Sequence, residues 1–142
     1  MDWSHEFHFC HDCNAAPGTY HTDGCDTEWC PLCKGQRMCC DCPVPDDERL
    51  PWTGVWPGSL ESAELGLWCR WGRTGWIRCT ADHPDARTNL NDWAVQGMPV
   101  PPTAARLTDK AKELALDADM ADGDRVAILK GVFTEILTEL KL

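Results

Sequence analysis

Between Cys10 and Cys42 the chain reads C-H-D-C-N-A-A-P-G-T-Y-H-T-D-G-C-D-T-E-W-C-P-L-C-K-G-Q-R-M-C-C-D-C, and no other stretch constrains the fold as strongly. Eight of the ten cysteines and two of the five histidines fall within it. Eight of these ten form four pairs, Cys10/Cys13, His21/Cys25, Cys30/Cys33 and Cys40/Cys42, which leaves His11 and Cys39, the latter as a substitute for Cys40. A tetrahedral structural zinc site takes four thiolate or imidazole ligands. Four pairs therefore predict two zinc ions.

Two pairings satisfy that arithmetic, and a single site is a third option. In a sequential arrangement, Cys10, Cys13, His21 and Cys25 hold one ion, and Cys30, Cys33, Cys40 and Cys42 hold the other. A cross-braced arrangement joins the first pair to the third and the second to the fourth. A single ribbon site uses Cys10, Cys13, Cys30 and Cys33, whose spacing is also within the usual range. The gaps between pairs are seven, four and six residues, long enough to loop back on one tetrahedron, which favours the sequential form. Gly18, Gly24 and Gly35 are expected to provide turns with positive φ that let backbone amides point at thiolates. The segment Cys30-Pro31-Leu32-Cys33-Lys34-Gly35 resembles the second knuckle of zinc-ribbon proteins. A thioredoxin-like role for C-P-L-C would need a following helix, and cysteines stand there instead.

Compartment bears on the cysteine chemistry. The start, Met1-Asp2-Trp3-Ser4-His5-Glu6, has neither the basic nor the apolar region of a signal peptide. No apolar run approaches the length of a membrane span. These features predict a cytoplasmic protein, in which paired cysteines bind metal rather than form disulfides.

The chain carries a net charge of −10. Residues 1–58 contribute −7 of it, residues 59–97 −1 and residues 98–142 −2. Double-stranded DNA binders present a basic footprint, so an acidic metal module excludes that class as an expectation.

Three regions emerge from the pattern: a zinc-binding module over 1–45, a Trp-rich α+β region over 46–97, and a Pro-rich connector with a helical hairpin over 98–142. The fold class is small, metal-rich α+β. Residues 1–9 alternate Trp3, Phe7 and Phe9 with polar residues, which predicts a short strand. Trp52, Val55 and Trp56 pin the metal module to the Trp-rich region. Ser59 to Gly66 reads as a short helix with Ser59 as N-cap. Residues 67–80 read as a β-hairpin around Gly72-Arg73-Thr74-Gly75, and residues 89–97 as another short helix. Cys69 and Cys79 lack the tight pairing of the other cysteines and read as small core residues.

Pro99 to Pro102 form a stiff connector. After it, one helix begins at Thr103 or Thr108 and runs to about Ala121, with Leu107, Ala111, Leu114 and Ala118 in a thin stripe. A second helix, capped by Asp124, carries Val126, Leu129, Val132, Phe133, Ile136, Leu137 and Leu140 on one face. That face exceeds what the first helix covers, which predicts a homodimer through 103–142; a hairpin folded back onto the Trp-rich region explains the same pattern.

No catalytic motif assembles. The deaminase signature, the G-x-S-x-G elbow, phosphate-binding glycine loops and H-E-x-x-H are all absent. His83 lies beside Asp82 and Asp85 with no nucleophile nominated. The one basic, aromatic surface is the hairpin, where Trp68, Trp71 and Trp76 with Arg70, Arg73 and Arg78 suit single-stranded nucleic acid or a partner. The plainer expectation makes these tryptophans the core of the region. The layout of Cys/His pairs, then R-L-P-W-T-G-V-W-P-G, then a Trp-rich hairpin resembles small bacterial or phage zinc-binding proteins. That resemblance implies metal ligands and no catalytic residue. The functional expectation is a zinc-stabilised, non-enzymatic protein-interaction module, an adaptor, regulator or inhibitor. One form of it is an acidic phage or mobile-element inhibitor of a nucleic-acid enzyme. A nucleic-acid-binding zinc protein and a zinc-dependent hydrolase are the alternatives.

Overall fold

The computed structural model describes all residues, 1–142. It is a small α+β fold with a three-stranded antiparallel sheet, four α-helices and two Cys/His clusters. Helix α1 spans Ser59–Glu64, β1 Trp68–Gly72, β2 Gly75–Cys79, β3 Arg87–Thr88, α2 Leu90–Val95, α3 Pro102–Leu116 and α4 Asp122–Glu139. The strand order is β2-β1-β3. No helix is long and apolar enough to cross a membrane.

The strands β1 and β2 pair with Trp71 opposite Trp76 and Gly72 opposite Gly75, so the two-residue loop Arg73-Thr74 closes the turn. Strand β3 pairs Arg87 with Cys69 and Thr88 with Trp68 on the other edge of β1. Two residues carry no readable period, which is why this strand left no trace in the sequence pattern.

Helix α1 is capped one residue earlier than expected. Gly58, at φ 94°, is the N-cap, and Ser59 lies within the helix. A Cβ on Gly58 would stand 2.5 Å from Trp93 Cε3, so both the backbone conformation and the ring packing require glycine here. Helix α2 is capped as its sequence suggests, with the Asn89 side chain accepting from Asp92 N at 3.0 Å.

Helix α3 starts at Pro102, a residue suited to the first helical position because its missing N–H would have no partner there. The Glu64 carboxylate accepts from Thr103 N at 3.3 Å and Ala104 N at 2.6 Å, placing negative charge at the positive end of the helix. The helix stops at Leu116, five residues before the expected end near Ala121. There the Arg125 guanidinium donates to the carbonyls of Leu114, at 3.0 Å, and Asp117. It thus covers groups that the helix end leaves unpaired. Helix α4 begins at Asp122 with Ala121 at its N-cap, so Asp124 lies inside the first turn rather than capping it.

The predicted strand over 1–9 is absent. Trp3–His5 form one 3-10 turn, capped by Asp2, whose carboxylate accepts from Ser4 N at 2.9 Å. Tertiary packing overrides the alternation: Trp3 meets Phe133 edge-on at 6.1 Å, and Phe7 stacks on the same ring at 5.6 Å.

That contact decides where the C-terminal hairpin goes. One core cluster joins Trp3, Val55, Leu60 and Trp68 to Leu107, Ala111 and Leu114 of α3 and to Leu129, Phe133 and Ile136 of α4. Val132, Leu137 and Leu140 pack against it half-buried, and Val126 is half-buried as well. The centre of the face that suggested a homodimer, Leu129, Phe133 and Ile136, is thus buried within one chain, and its flanks are half-buried. Each large apolar side chain so buried stabilises the fold by about 1.5–3 kcal/mol. The Pro99–Pro102 connector does not hold the hairpin away, because the Trp93 indole donates to Pro99 O at 2.8 Å and turns the connector back. Ala118 lies exposed beyond the end of α3.

Candidate metal centres

Each centre is built on a local turn, and the two turns share one hydrogen-bond pattern. In the first, Asn14 N donates to Cys10 O and Cys10 N to Ala15 O, both at 2.9 Å. In the second, Lys34 N donates to Cys30 O at 2.9 Å and Cys30 N to Gly35 O at 2.8 Å. The fifth residue of each turn, Asn14 or Lys34, has φ near +60°, so in the second turn Lys34 rather than the expected Gly35 takes the left-handed position. This left-handed residue lets the chain curl back so that both cysteines of a pair face the same point. An isolated bridge between Trp29 and Gln36 braces the second turn.

The sulfur and nitrogen atoms of Cys10, Cys13, His21 and Cys25 lie within 4.8 Å of one another, and so do those of Cys30, Cys33, Cys40 and Cys42. The grouping is the sequential one; cross-braced and ribbon sets are not brought together. All ten cysteines are free thiols. Cys39, in the 3-10 turn Arg37–Cys39, is exposed, with its Sγ 3.7 Å from Gln36 Oε1, outside the second group.

The distances identify what the groups can hold. A metal about 2.3 Å from sulfur and about 2.05 Å from imidazole nitrogen defines a tetrahedron with sulfur–sulfur edges of about 3.75 Å and sulfur–nitrogen edges of about 3.55 Å. In the first group Cys10 Sγ and Cys25 Sγ are 3.7 Å apart. His21 Nδ1 lies 3.3 Å from Cys13 Sγ and 3.4 Å from Cys25 Sγ. These are tetrahedron edges, far from the roughly 2.05 Å of a disulfide, and they assign Nδ1 as the imidazole donor. The donor sets, three sulfurs with one nitrogen and four sulfurs, are consistent with zinc.

Protonation points the same way. Burial, with help from Arg49 and against Glu28, holds the His21 imidazole below its usual range, in the neutral form a ligand needs. In the second group the Cys33 amide, and after it that of Leu32, bring the Cys30 thiol down to about 7. The Cys42 thiol is pushed up to about 12 by its contacts with Cys33 and Cys30. Burial pushes the Cys25 thiol of the first group to about 12 as well. Crowded thiols do not all ionise together unless a cation balances them.

The two centres differ in exposure. Cys10, His21 and Cys25 are buried, and Trp52 packs on Cys10 and Cys25 with its indole 5.9 Å from the His21 ring. In the second centre only Cys30 is buried, and Cys33 is exposed. Between them sits Glu28, 2% exposed. Its carboxylate accepts from Arg49 at 2.6 and 3.0 Å and pairs with Arg37 Nε at 3.2 Å. Arg49 also donates to His21 O at 2.9 Å. This ionic tie between the two centres went unread in the sequence, because its partners lie 9 and 21 residues from Glu28 and match no motif.

The hairpin residues separate into two sets. Trp68 is buried in the core at 5% exposure, whereas Trp71 is 66% and Trp76 54% exposed. The two exposed rings meet edge-on at 5.1 Å. Arg78 is held by Asp92 through bonds of 2.7 and 2.9 Å; Arg73 is exposed and Arg70 half-buried. Cys69 is buried and Cys79 half-buried, in register with Arg78 and Trp68 rather than with each other. His83 Nδ1 accepts from Asp85 N at 3.0 Å, a turn contact within its own loop.

Comparison with protein-family models, with curated proteins and with solved structures gives no match.

Proposed function

We propose that the chain is a zinc-stabilised, non-enzymatic protein-interaction module that docks a protein partner through the tip of the β1–β2 hairpin. The observation that carries this reading is the exposed Trp71–Trp76 pair beside Ile77 and Arg73. Tryptophan and arginine are the side chains most enriched at energetic centres of protein interfaces. Two rings left in water by a chain that buries Trp3, Trp52, Trp68 and Trp93 are surface retained at a cost in stability.

Zinc fills a structural role in this reading. Each centre already offers four protein donors, whereas a catalytic zinc keeps one position for water or substrate. With zinc bound, the three-thiolate, one-imidazole centre carries a net −1 and the four-thiolate centre −2, so both stay anionic. The acidic first 58 residues then discourage contact with phosphate and leave the hairpin as the accessible recognition element.

Elemental analysis should give two zinc ions per chain, and cobalt substitution should give the absorption of tetrahedral thiolate sites. One ion or none would refute the count. Affinity capture with the Trp71→Ala/Trp76→Ala double variant should lose the partner that the wild type retains, with zinc content unchanged. Single-stranded nucleic acid is the rival occupant, because aromatic pairs flanked by arginine also stack bases. A mobility shift at low salt that disappears with Arg73→Ala would overturn the protein-partner reading in its favour.

A further inference from the structure

Between the metal-binding turns and the α2–α3 connector lies a cavity of about 260 Å³. Four of the eight tryptophans, Trp29, Trp52, Trp56 and Trp93, line it, together with Leu60 and the carboxylate-bearing Glu61. Trp29 and Trp93 are 5.7 Å apart at an interplanar angle of 42°, two walls of a corner rather than a stack. The indole N–H groups of Trp52 and Trp93 are occupied by His8 O and Pro99 O, so those rings offer the cavity π surface rather than donors.

Glu61 lies in the first turn of α1 and lines the same cavity. Its amide and that of Gly58 face its carboxylate, as expected near the start of α1, but no cation contributes to its surroundings. Burial raises it above the usual carboxylate range, and Glu64 pushes the same way. The one ammonium along the cavity wall, Lys34, donates to Gly97 O at 3.0 Å. A carboxylate in a tryptophan-lined cavity without a counter-ion is the complement of a cation with an apolar coat. Indole faces attract such a cation through their quadrupole, most strongly when water is excluded, and the carboxylate supplies the opposite charge.

We propose that this cavity is a binding site for an alkylammonium cation, one carrying methyl or methylene groups on nitrogen, whether as a free small molecule or as a lysine side chain. Multiply methylated ammonium suits it better than a bare amine, because a bare ammonium keeps hydrogen-bonded water that apolar walls do not replace. Inorganic cations are excluded on the same ground. The site is separate from the hairpin tip and does not depend on what docks there.

The zinc-loaded, full-length protein is titrated with choline and, in parallel, with 3,3-dimethylbutan-1-ol, its neutral isostere. Tryptophan fluorescence and calorimetry report binding, and proton NMR reports the N-methyl shift. Choline should saturate at least tenfold more tightly than the alcohol, with its methyl protons moved upfield by the surrounding rings. A peptide bearing trimethyllysine, compared with the same peptide bearing lysine, tests the side-chain source. Tighter binding of the methylated peptide than of choline assigns a protein ligand; the reverse assigns a free one. Glu61→Gln should weaken choline at least tenfold and leave the alcohol unchanged. Because Glu61 also lies in the first turn of α1, Trp56→Ala, at a 41% exposed position, provides a second variant that should weaken choline without disturbing the fold. Equal affinity for choline and the alcohol would overturn the proposal, and so would the absence of saturation and of an upfield shift at millimolar concentration.

Discussion

Replacing Glu28 by alanine is the sharpest test of how the two candidate metal centres are held together. The carboxylate is buried, with 3% of its side chain exposed, and Arg49 opposite it has 13%. The substitution removes two bonds from Arg49, at 2.6 and 3.0 Å, and the 3.2 Å pairing with Arg37. Breaking a buried pair from one side costs about 3–5 kcal/mol, because the remaining charge stays out of water. Here Arg49 keeps His21 O at 2.9 Å and an exposed Asp23 at 3.7 Å, which places the expectation at the lower end, about 3 kcal/mol. The assay is urea unfolding at constant free zinc, since metal binding and folding are linked. A double-mutant cycle with Arg49→Ala should return a coupling of about 1.5 kcal/mol or more. Arg106→Ala is the control, because Glu135 and Glu139 opposite it are exposed and such pairs contribute about 0–1 kcal/mol. A loss below about 1 kcal/mol for Glu28→Ala, or strict additivity with Arg49→Ala, would refute the view that this buried tie couples the centres.

Chelator challenge should release zinc in two phases, the faster from the centre containing exposed Cys33; Cys40→Ser should remove that phase, whereas Cys39→Ser should leave both ions in place. Acidification should destabilise the protein from about pH 6.5 downward. Folded His21 is held below its usual range, so the unfolded chain binds the extra proton first and stability falls with pH; urea midpoints across that interval check the sign. Gly58→Ala should cost more than about 2 kcal/mol, because a left-handed backbone position is strained for alanine and its Cβ would meet Trp93 at 2.5 Å; a smaller shift in thermal midpoint would show that the ring gives way.

What the sequence determined by itself is the local part. Spacing within each Cys/His pair is a property of one turn, and loops of seven and six residues suffice to close a tetrahedron, so the donors and their number were legible without long-range information. Pairing of the ligand sets stayed open because spacing limits reach and not partner. Glycine-bounded turns and the period of α4 were legible for the same local reason.

Tertiary packing decided the rest. Trp68 and Trp71 are three residues apart on one strand and so on opposite faces; the core cluster takes up the first, whereas the second meets only the exposed Trp76 ring. Trp3 and Phe7 form a turn and a stack instead of a strand because Phe133, more than a hundred residues later, supplies their contact. The core cluster that takes in Phe133 also buries Leu129 and Ile136, the centre of the α4 face that in isolation suggested a second chain. Burial energy depends on which surfaces meet, and a pattern along one segment states only that a surface needs covering, not what covers it.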